Sequence, residues 1–244
     1  MHNPEGIAVD GAGNIYIADK KNNAIRKVRP PESPNATGVM TTIAGLGPDA
    51  AGCIAEDTKA SEAPLSAPQE VAVDAAGNLY IADAGCRKIR KIGKDGIMHT
   101  LVGSGAGRTG TPAYVAYNGP TQEAGEINLG NPVGVKADAA GNLYISDPAF
   151  GAIWFYDTAA KKVSLLAGGP VAGGKGICPE RSNDFGDGCP GLQAKLNIPF
   201  RVALDTKGNL YIPEQGDLAM PMHPYAIRVL QAKQQGKGTG KSNR

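Results

Sequence analysis

The stretch APQEVAVDAAGNLYIAD at residues 67–83 decides the fold of this chain, because three further copies of it occur. The copies are NPEGIAVDGAGNIYIAD from Asn3, NPVGVKADAAGNLYISD from Asn131 and IPFRVALDTKGNLYIPE from Ile198. Their prolines, at positions 4, 68, 132 and 199, are 64, 64 and 67 residues apart. A recurrence of this length is typical of architectures that stack one supersecondary unit repeatedly.

Each unit is predicted to be an antiparallel meander of four strands. Val71 and Val73 alternate with small or polar residues, which indicates a short first strand. The motif D-x-x-G-N follows at residues 74–78, and Asp at the first and Gly at the fourth position favour a type I turn. A second strand carries a tyrosine, a third begins six residues after the closing acid of the first three units, and a fourth ends in glycine. The chain is therefore predicted to be all-β.

Composition limits the classes of protein further. Of 244 residues, 34 are Gly and 18 are Pro, while 41% are hydrophobic and 20% charged, so the chain is turn-rich but can build a core. The formal charge of +2 and the small number of aromatic residues, with four Phe and one Trp, do not favour nucleic-acid binding. Since no apolar run approaches the roughly 20 residues of a transmembrane helix, we expect no membrane span.

A twisted sheet that is apolar on both faces can bury both faces only by packing against the sheets of the neighbouring repeats. Radial stacking of such sheets gives a propeller. Ala8, Ala72 and Ala203 on the first strands are small enough to let neighbouring sheets approach. Lys136 interrupts this row, and we expect it to reach into the central channel.

The motif P-x-G-[IV]-A-V-D-x-x-G-N-[IL]-Y-I-A-D followed by I-R-K resembles the NHL repeat, a module of six-bladed β-propellers. The segment FGDGCPGLQAKLNIP at residues 185–199 is similar to the links of large bacterial NHL proteins and teneurin-type NHL domains. The resemblance implies an NHL-type propeller. It specifies no ligand, because NHL propellers bind proteins, RNA or small molecules, and a few relatives are lyases.

The propeller is predicted to span residues 1–231, followed by a flexible tail at 232–244. Its blades are expected at about 1–45, 67–104, 131–168 and 198–231, the last lacking its fourth strand. We expect an open arc or a fragment of a six-bladed ring; closure by four blades and pairing of two copies stay open as alternatives. Open blade edges would favour self-association.

The four cysteines, Cys53, Cys86, Cys178 and Cys189, contain no C-x-x-C pair and allow three disulfide pairings. We favour 53–86, because the link that enters a blade and the loop between its second and third strands lie at the same end, and 178–189, because both cysteines lie in one long link and could close a loop within it. Free thiols are the alternative. Disulfides would indicate an extracytoplasmic or secreted protein, although no signal peptide is recognisable in the chain.

Long links at about 46–67, 105–131 and 169–198 are expected on one rim, together with the loops 20–24, 84–88, 148–152 and 215–224. Long connections are often functional, so this rim is the predicted binding face; packed covers for the blade edges are the alternative. The candidate ligand-binding residues are Lys136, Arg87, Lys88 and Phe150.

We predict a non-catalytic module that recognises a protein or glycan, without metal or other cofactor. The alternative is a propeller lyase or hydrolase with its site at the channel mouth near Lys136.

Overall fold

The computed structural model describes residues 1–33, 35–54, 56–105, 121–169, 190–215 and 226–231, apart from the side chain of Gln193. These residues form four antiparallel sheets and contain no α-helix. No described helix is long and apolar enough to cross a bilayer. The first sheet consists of β1 (Pro4–Val9), β2 (Ile15–Asp19), β3 (Ala24–Arg29) and β4 (Val39–Ala44).

The second and third sheets each have five strands. The second contains β5 (Thr58–Lys59), β6 (Pro68–Val73), β7 (Leu79–Asp83), β8 (Lys88–Ile92) and β9 (Ile97–Val102). The third contains β10 (Gln122–Glu123), β11 (Gly134–Ala137), β12 (Leu143–Asp147), β13 (Ala152–Asp157) and β14 (Lys162–Gly168). In both, the order runs from the short link strand through the fourth, third and second strands to the first.

The fifth strand corrects the prediction of four strands in these two blades. Thr58 of β5 pairs with Met98 of β9, and Gln122 of β10 pairs with Val163 of β14. A two-residue strand is too short to show a periodic pattern, so it could not be predicted from the sequence. The fourth sheet has three strands within the described residues, β15 (Ala203–Leu204), β16 (Leu210–Glu214) and β17 (Ala226–Leu230), consistent with the incomplete last blade.

The D-x-x-G-N motif forms the predicted turn in every sheet. In the first, the Asp10 carboxylate accepts hydrogen bonds from the Asn14 backbone N–H at 2.9 Å and the Asn14 side chain at 2.8 Å. The Tyr16 hydroxyl also donates to Asp10 at 2.9 Å. Gly13 has φ of +78°, a left-handed conformation that glycine adopts without a Cβ penalty. The turn therefore explains why Asp, Gly, Asn and often Tyr recur together.

The four sheets stack in sequence order as propeller blades, and one core lies between each consecutive pair. Ala8 of the first blade packs in the same cluster as Val71 of the second. Ala72 of the second packs with Val135 of the third, and Ile153 of the third packs with Val202 of the fourth. The predicted stacking of blades is thus confirmed.

Two blade faces remain uncovered in the described structure, in which no core cluster joins the fourth blade to the first. Ile7 on the first strand of blade 1 is 58% exposed, whereas Val71 at the equivalent position of blade 2 is fully buried. On blade 4, Ile227 is 71% exposed. Ala203 was expected to be covered by a neighbouring blade, but it is exposed because it lies on this outer face.

The second half of each long link is packed against the blades. Three positions recur there. The first is buried at Ala60 and Ala124 and is the half-buried Gly191 in the last link; the other two are buried in all three links, at Ala63, Ile127 and Ala194 and at Leu65, Leu129 and Leu196. The carbonyl of Ala60 accepts a hydrogen bond from Gly45 at 3.3 Å, and that of Ala124 accepts one from Gly103 at 2.9 Å. These halves of the links act as packed covers.

Candidate binding surface

The first half of the blade 2 link and the loops between second and third strands lie at one end of the blades. We call this surface the link rim and define it by residues 46–54, 56–57, 20–23, 84–87 and 148–151. In an antiparallel meander, the start of the first strand and the loop after the second strand are at the same end. The link rim is therefore the described part of the rim that the sequence predicts as the binding face.

In each blade, a carboxylate at the end of the second strand accepts backbone hydrogen bonds from the link that enters the same blade. Asp83 accepts a hydrogen bond from the Ser66 N–H at 2.8 Å, and Asp147 accepts from the N–H groups of Gly130 and Asn131 at 2.7 and 2.9 Å. The equivalent acceptors in blades 1 and 4 are Asp19 for His2 and Glu214 for Asn197. These carboxylates are therefore structural, and their main hydrogen-bond donors belong to the preceding link.

The blade 2 link is also held by a disulfide between Cys53 and Cys86, whose Cα atoms are 5.2 Å apart. This bond confirms the 53–86 pairing. It ties the link to the loop between β7 and β8, as expected from their shared end of the blade. Cys178 and Cys189 lie outside the described residues.

Arg90 forms the centre of a second attachment and is completely buried. Its guanidinium donates to the Cys53 carbonyl at 2.8 Å and to Glu56 at 2.8 Å, and its Nε lies 3.4 Å from Asp83. Burial raises the pKa of Asp83 to about 6, against the lowering effect of the Ser66 N–H and of Arg90. Arg90 thus joins the link to the end of β7.

Glu56 completes this attachment from the link side. It accepts hydrogen bonds from the Thr100 backbone at 2.9 Å and from Lys88 at 3.1 Å. Burial alone would raise the pKa of Glu56, but the hydrogen bonds from Thr100 and Lys88, with the Arg90 charge, outweigh it and lower the pKa to about 2. Glu56 is therefore ionised at neutral pH, and Lys88 is engaged with it.

Between these two attachments the link presents an aliphatic side chain to solvent. Ile54 is 96% exposed, although its neighbour Cys53 is disulfide-bonded and Glu56 is hydrogen-bonded. Arg87 follows Cys86 in a left-handed conformation, with φ of +54°, and is half-buried. This part of the rim combines an apolar side chain and a cation on a backbone that is held at both sides.

The other two predicted site residues lie elsewhere. Phe150 is half-buried and packs against the core between blades 2 and 3. Lys136 is half-buried on the first strand of blade 3, opposite Tyr144, and close enough to lower the pKa of Glu70 electrostatically. The structure therefore places Arg87 and Lys88 side by side, with Phe150 on the next blade and Lys136 nearer the axis.

An ion cluster that the sequence analysis missed lies where the first strands begin. Arg201 of blade 4 contacts Glu5 of blade 1 at 2.8 Å and Glu70 of blade 2 at 3.0 Å. Lys20 pairs with the other oxygen of Glu5 at 3.4 Å. Burial raises the pKa of Glu70, although the charges of Arg201 and Lys136 oppose it. These three residues, Glu5, Glu70 and Arg201, form the axial ion cluster, which connects the first, second and fourth blades.

A signal for this cluster was present in the aligned repeats. The second residue after the repeat proline is Gly6, Glu70, Gly134 and Arg201 in the four units. A Cβ on Gly6 would lie 2.2 Å from the Glu70 carboxylate, and one on Gly134 would lie 3.1 Å from the Arg201 Cα. Glycine in one blade therefore makes room for the charged residue of the next blade. Comparison of this one position among the four aligned repeats would have shown that glycine and a charged residue alternate there.

A shallow hollow of about 480 Å³ lies at the opposite end of blade 1. It is lined by Ala12 and Asn14 of the turn and by residues 29–32, 36–37 and 39, and it includes none of the predicted site residues. Among the residues that the structure describes, no group of three or more His, Cys, Asp or Glu side chains is arranged to hold a metal ion.

Comparison with known proteins gives two family matches. The family described as teneurin NHL domain matches residues 35–118, and the NHL repeat matches residues 1–28. Teneurin-3 of Danio rerio is 26% identical over 211 residues, which are 83% of this chain and 7% of that protein. The chain thus spans a small part of this curated relative.

The fold is shared with several solved structures, two of which are the following. A protein of unknown function from Bacteroides thetaiotaomicron is 19% identical with a TM-score of 0.61, and the match covers 93% of this chain and 47% of that one. A putative gluconolactonase is 15% identical with a TM-score of 0.52, covering 94% of this chain and 64% of that one. The sequence repeat, the four stacked blades and the two family matches together show an NHL-type β-propeller fold, in which residues 1–28 match the NHL repeat and residues 35–118 match the teneurin NHL domain.

Proposed function

We propose that this propeller is a non-catalytic binding module that recognises a protein through the link rim. The observation that carries the proposal is Ile54, an aliphatic side chain that is 96% exposed on a link held by a disulfide and by Glu56. Binding to a partner would remove this side chain from water, at little cost in backbone ordering because the link is already fixed.

The chemistry of the rim favours a protein over a glycan. Arg87 stands beside the disulfide, so the exposed aliphatic group is accompanied by a cation. Apolar anchors with arginine nearby are common at the centre of protein interfaces. A disulfide persists in oxidising compartments, and the proposed setting is therefore extracytoplasmic.

Substitutions on the rim test the proposal. Ile54→Glu and Arg87→Glu should each abolish binding of the purified protein to intact cells or to an array of extracellular proteins. Lys94→Glu makes the same charge change as Arg87→Glu, but in the exposed turn between β8 and β9 at the opposite end of the blade, and it should leave binding unchanged. Equal binding by all three variants would exclude the link rim as the interface.

The alternative is an enzyme with its site at the channel mouth, where the axial ion cluster brings carboxylates and cations together. The likeness to the putative gluconolactonase supports the common fold alone. Both oxygens of Glu5 are engaged, with Lys20 and with Arg201, which is more typical of a structural ion cluster than of a general base. A stoichiometric metal in the purified protein would favour the enzyme over the binding module.

A further inference from the structure

One cation near the axis has no ion-pair partner within contact in the described part of the chain. Lys136 is half-buried on β11, and no hydrogen bond or ion pair joins its ammonium group to another described residue. The equivalent positions of the other blades are Ala8, Ala72 and Ala203, so packing of the blades does not require a long side chain here. An ammonium group carries three hydrogen-bond donors and loses hydration when it is partly buried. A lysine in this position therefore favours an anionic ligand.

A second cation lies against the same face of blade 3. Gly134 and Lys136 are two residues apart on β11, so they belong to the same face of the sheet. A Cβ on Gly134 would lie only 3.1 Å from the Cα of Arg201 in blade 4. Arg201 and Lys136 both act electrostatically to lower the pKa of Glu70, against the raising effect of burial. The two cations therefore lie around one carboxylate, at the boundary between blades 3 and 4.

The contacts of Arg201 use only part of its guanidinium group. Its Nε lies 3.0 Å from a Glu70 oxygen, and its Nη2 donates to Glu5 at 2.8 Å and to the Gln69 carbonyl at 3.3 Å. No described residue accepts a hydrogen bond from Nη1. The Arg201 side chain is 32% exposed, so a solute can reach it from solvent. The Arg201 Nη1 and the Lys136 Nζ are thus two nearby donors that the protein itself does not engage.

A buried hydroxyl adds a further polar group to this face. Ser146 pairs with Gly134 in the register, and its Oγ would lie 2.5 Å from a Cβ on that glycine. The Ser146 side chain is completely buried, and no described residue forms a hydrogen bond with its hydroxyl. Blades 1 and 2 have alanine at this position, Ala18 and Ala82. Blade 3 therefore carries polar side chains, Lys136 and Ser146, at two positions where the first two blades are apolar.

The balance of charge indicates the class of ligand. Three cations, Lys20, Arg201 and Lys136, lie around the two carboxylates of the axial ion cluster, which leaves one positive charge in excess. One negative charge neutralises this excess, whereas a phosphate dianion would be repelled by the two carboxylates already present. A carboxylate has two acceptor oxygens and can bridge an ammonium group and a guanidinium nitrogen.

We propose that Lys136 and the Nη1 of Arg201 bind one carboxylate group at the axis between blades 3 and 4. The carboxylate belongs to a small organic acid or to the C terminus of a polypeptide, since both present the same group. Charge-assisted hydrogen bonds to the two cations supply the affinity, and they are stronger at a half-buried site than in water. This inference does not rest on the function proposed for the link rim, because the site lies at the axis and does not include Ile54.

Thermal unfolding of the purified protein with three probes tests the site. The probes are sodium acetate, N-acetyl-dialanine with its carboxylate, and the C-terminal amide of the same dipeptide. A ligand that binds only the folded state raises the unfolding midpoint, and the dependence of the midpoint on ligand concentration gives the affinity. Both carboxylate probes should raise the midpoint above its value in sodium chloride of equal ionic strength, and the amide should not. A larger shift with the dipeptide than with acetate would assign the site to a polypeptide C terminus, and equal shifts would assign it to a small acid.

Substitution of Lys136 separates this site from general effects of salts on stability. Lys136→Ala introduces the residue that the other three blades have, so it should fold, and it should weaken carboxylate binding by about tenfold or more through loss of one charge-assisted hydrogen bond. Lys136→Arg keeps the charge and should retain binding. Lys94→Ala removes an exposed lysine from the turn between β8 and β9 and should leave binding unchanged. The proposal is refuted by equal carboxylate binding in the wild type and Lys136→Ala, by equal effects of the dipeptide and its amide, or by the absence of a shift with both carboxylate probes.

Discussion

Replacement of Arg90 by methionine should be among the most destabilising single substitutions in the chain. Methionine keeps much of the volume but removes the only described cation within contact of Asp83, whose side chain is fully buried. It also leaves the Cys53 carbonyl without the donor at 2.8 Å. Breaking a buried ion pair by removing one partner costs about 3–5 kcal/mol. Glu56 adds little to this figure, because its side chain is 49% exposed.

The matched control is Arg26→Met in blade 1. Asp19 keeps two donors after that change, the His2 N–H at 2.7 Å and the Asn22 side chain at 2.9 Å. Arg26 is itself 24% exposed, so water reaches the site more easily. We expect a loss of about 1.5–2 kcal/mol, the lower end of the range for a single hydrogen bond to a charged group.

Urea unfolding provides the assay, monitored by far-UV circular dichroism and by the fluorescence of Trp154, the one tryptophan in the chain. The pH dependence adds a second criterion. Because the folded-state pKa of Asp83 is raised to about 6, its proton stabilises the folded state below about pH 4, and that contribution is lost as pH rises through 6. Loss of Arg90 raises this pKa further, so the deficit of Arg90→Met should be larger at pH 8 than at pH 5. Equal losses in both methionine variants, or a deficit that does not change with pH, would refute this account of the buried pair.

Three further predictions concern the link and the contact between blades. Joint replacement of Cys53 and Cys86 by serine opens a loop with a sequence separation of 33. It should lower the free energy of unfolding by about 3–4 kcal/mol in urea titrations. Unchanged stability would show that the link is held without the disulfide. Gly6→Ala would place a Cβ 2.6 Å from the Glu70 Cα and should lower the free energy of unfolding by about 1–3 kcal/mol. Gly11→Ala is the control and should be nearly neutral, because a Cβ there would have no atom within 4 Å. Similar midpoints of urea unfolding for the two variants would contradict the close approach of blades 1 and 2. Glu56→Gln should be less stable than the wild type at pH 6.5. This difference should shrink as pH falls from about 4.5 toward 2, because the lowered pKa of Glu56, about 2, stabilises the folded state only while the group is ionised; a difference as large at pH 2.5 as at pH 6.5 would argue against it.

The features of the fold that were predictable are those that repeat. Asp10, Gly13 and Asn14 recur in every unit because a tight turn requires a side-chain acceptor and a left-handed glycine, and both requirements are local. Stacking of the blades followed from apolar residues on both faces of the sheets. The 53–86 pairing followed from the direction of the strands, which brings a link and a loop to the same end.

Most of the features that were not predicted depend on contacts between residues that are far apart in sequence. Strand β5 forms because Arg90 and Thr100 hold Glu56 two residues before it, and these residues are far apart in sequence. The axial ion cluster joins residues separated by 196 positions, so no local pattern contains it. The exposure of Ile54 could not be predicted, because an isolated aliphatic residue in a link is equally consistent with a packed cover.

The attachment of every link to the end of its second strand has a consequence for how such a chain can be altered. The carboxylates at Asp83 and Asp147 and the buried leucines at 65 and 129 determine where a blade starts, whatever precedes them. Insertions or deletions upstream of these anchor points would then leave the alignment of the sheets untouched. Recognition loops of different length and composition could be grafted onto one constant scaffold, much as antibodies vary hypervariable segments on a common framework.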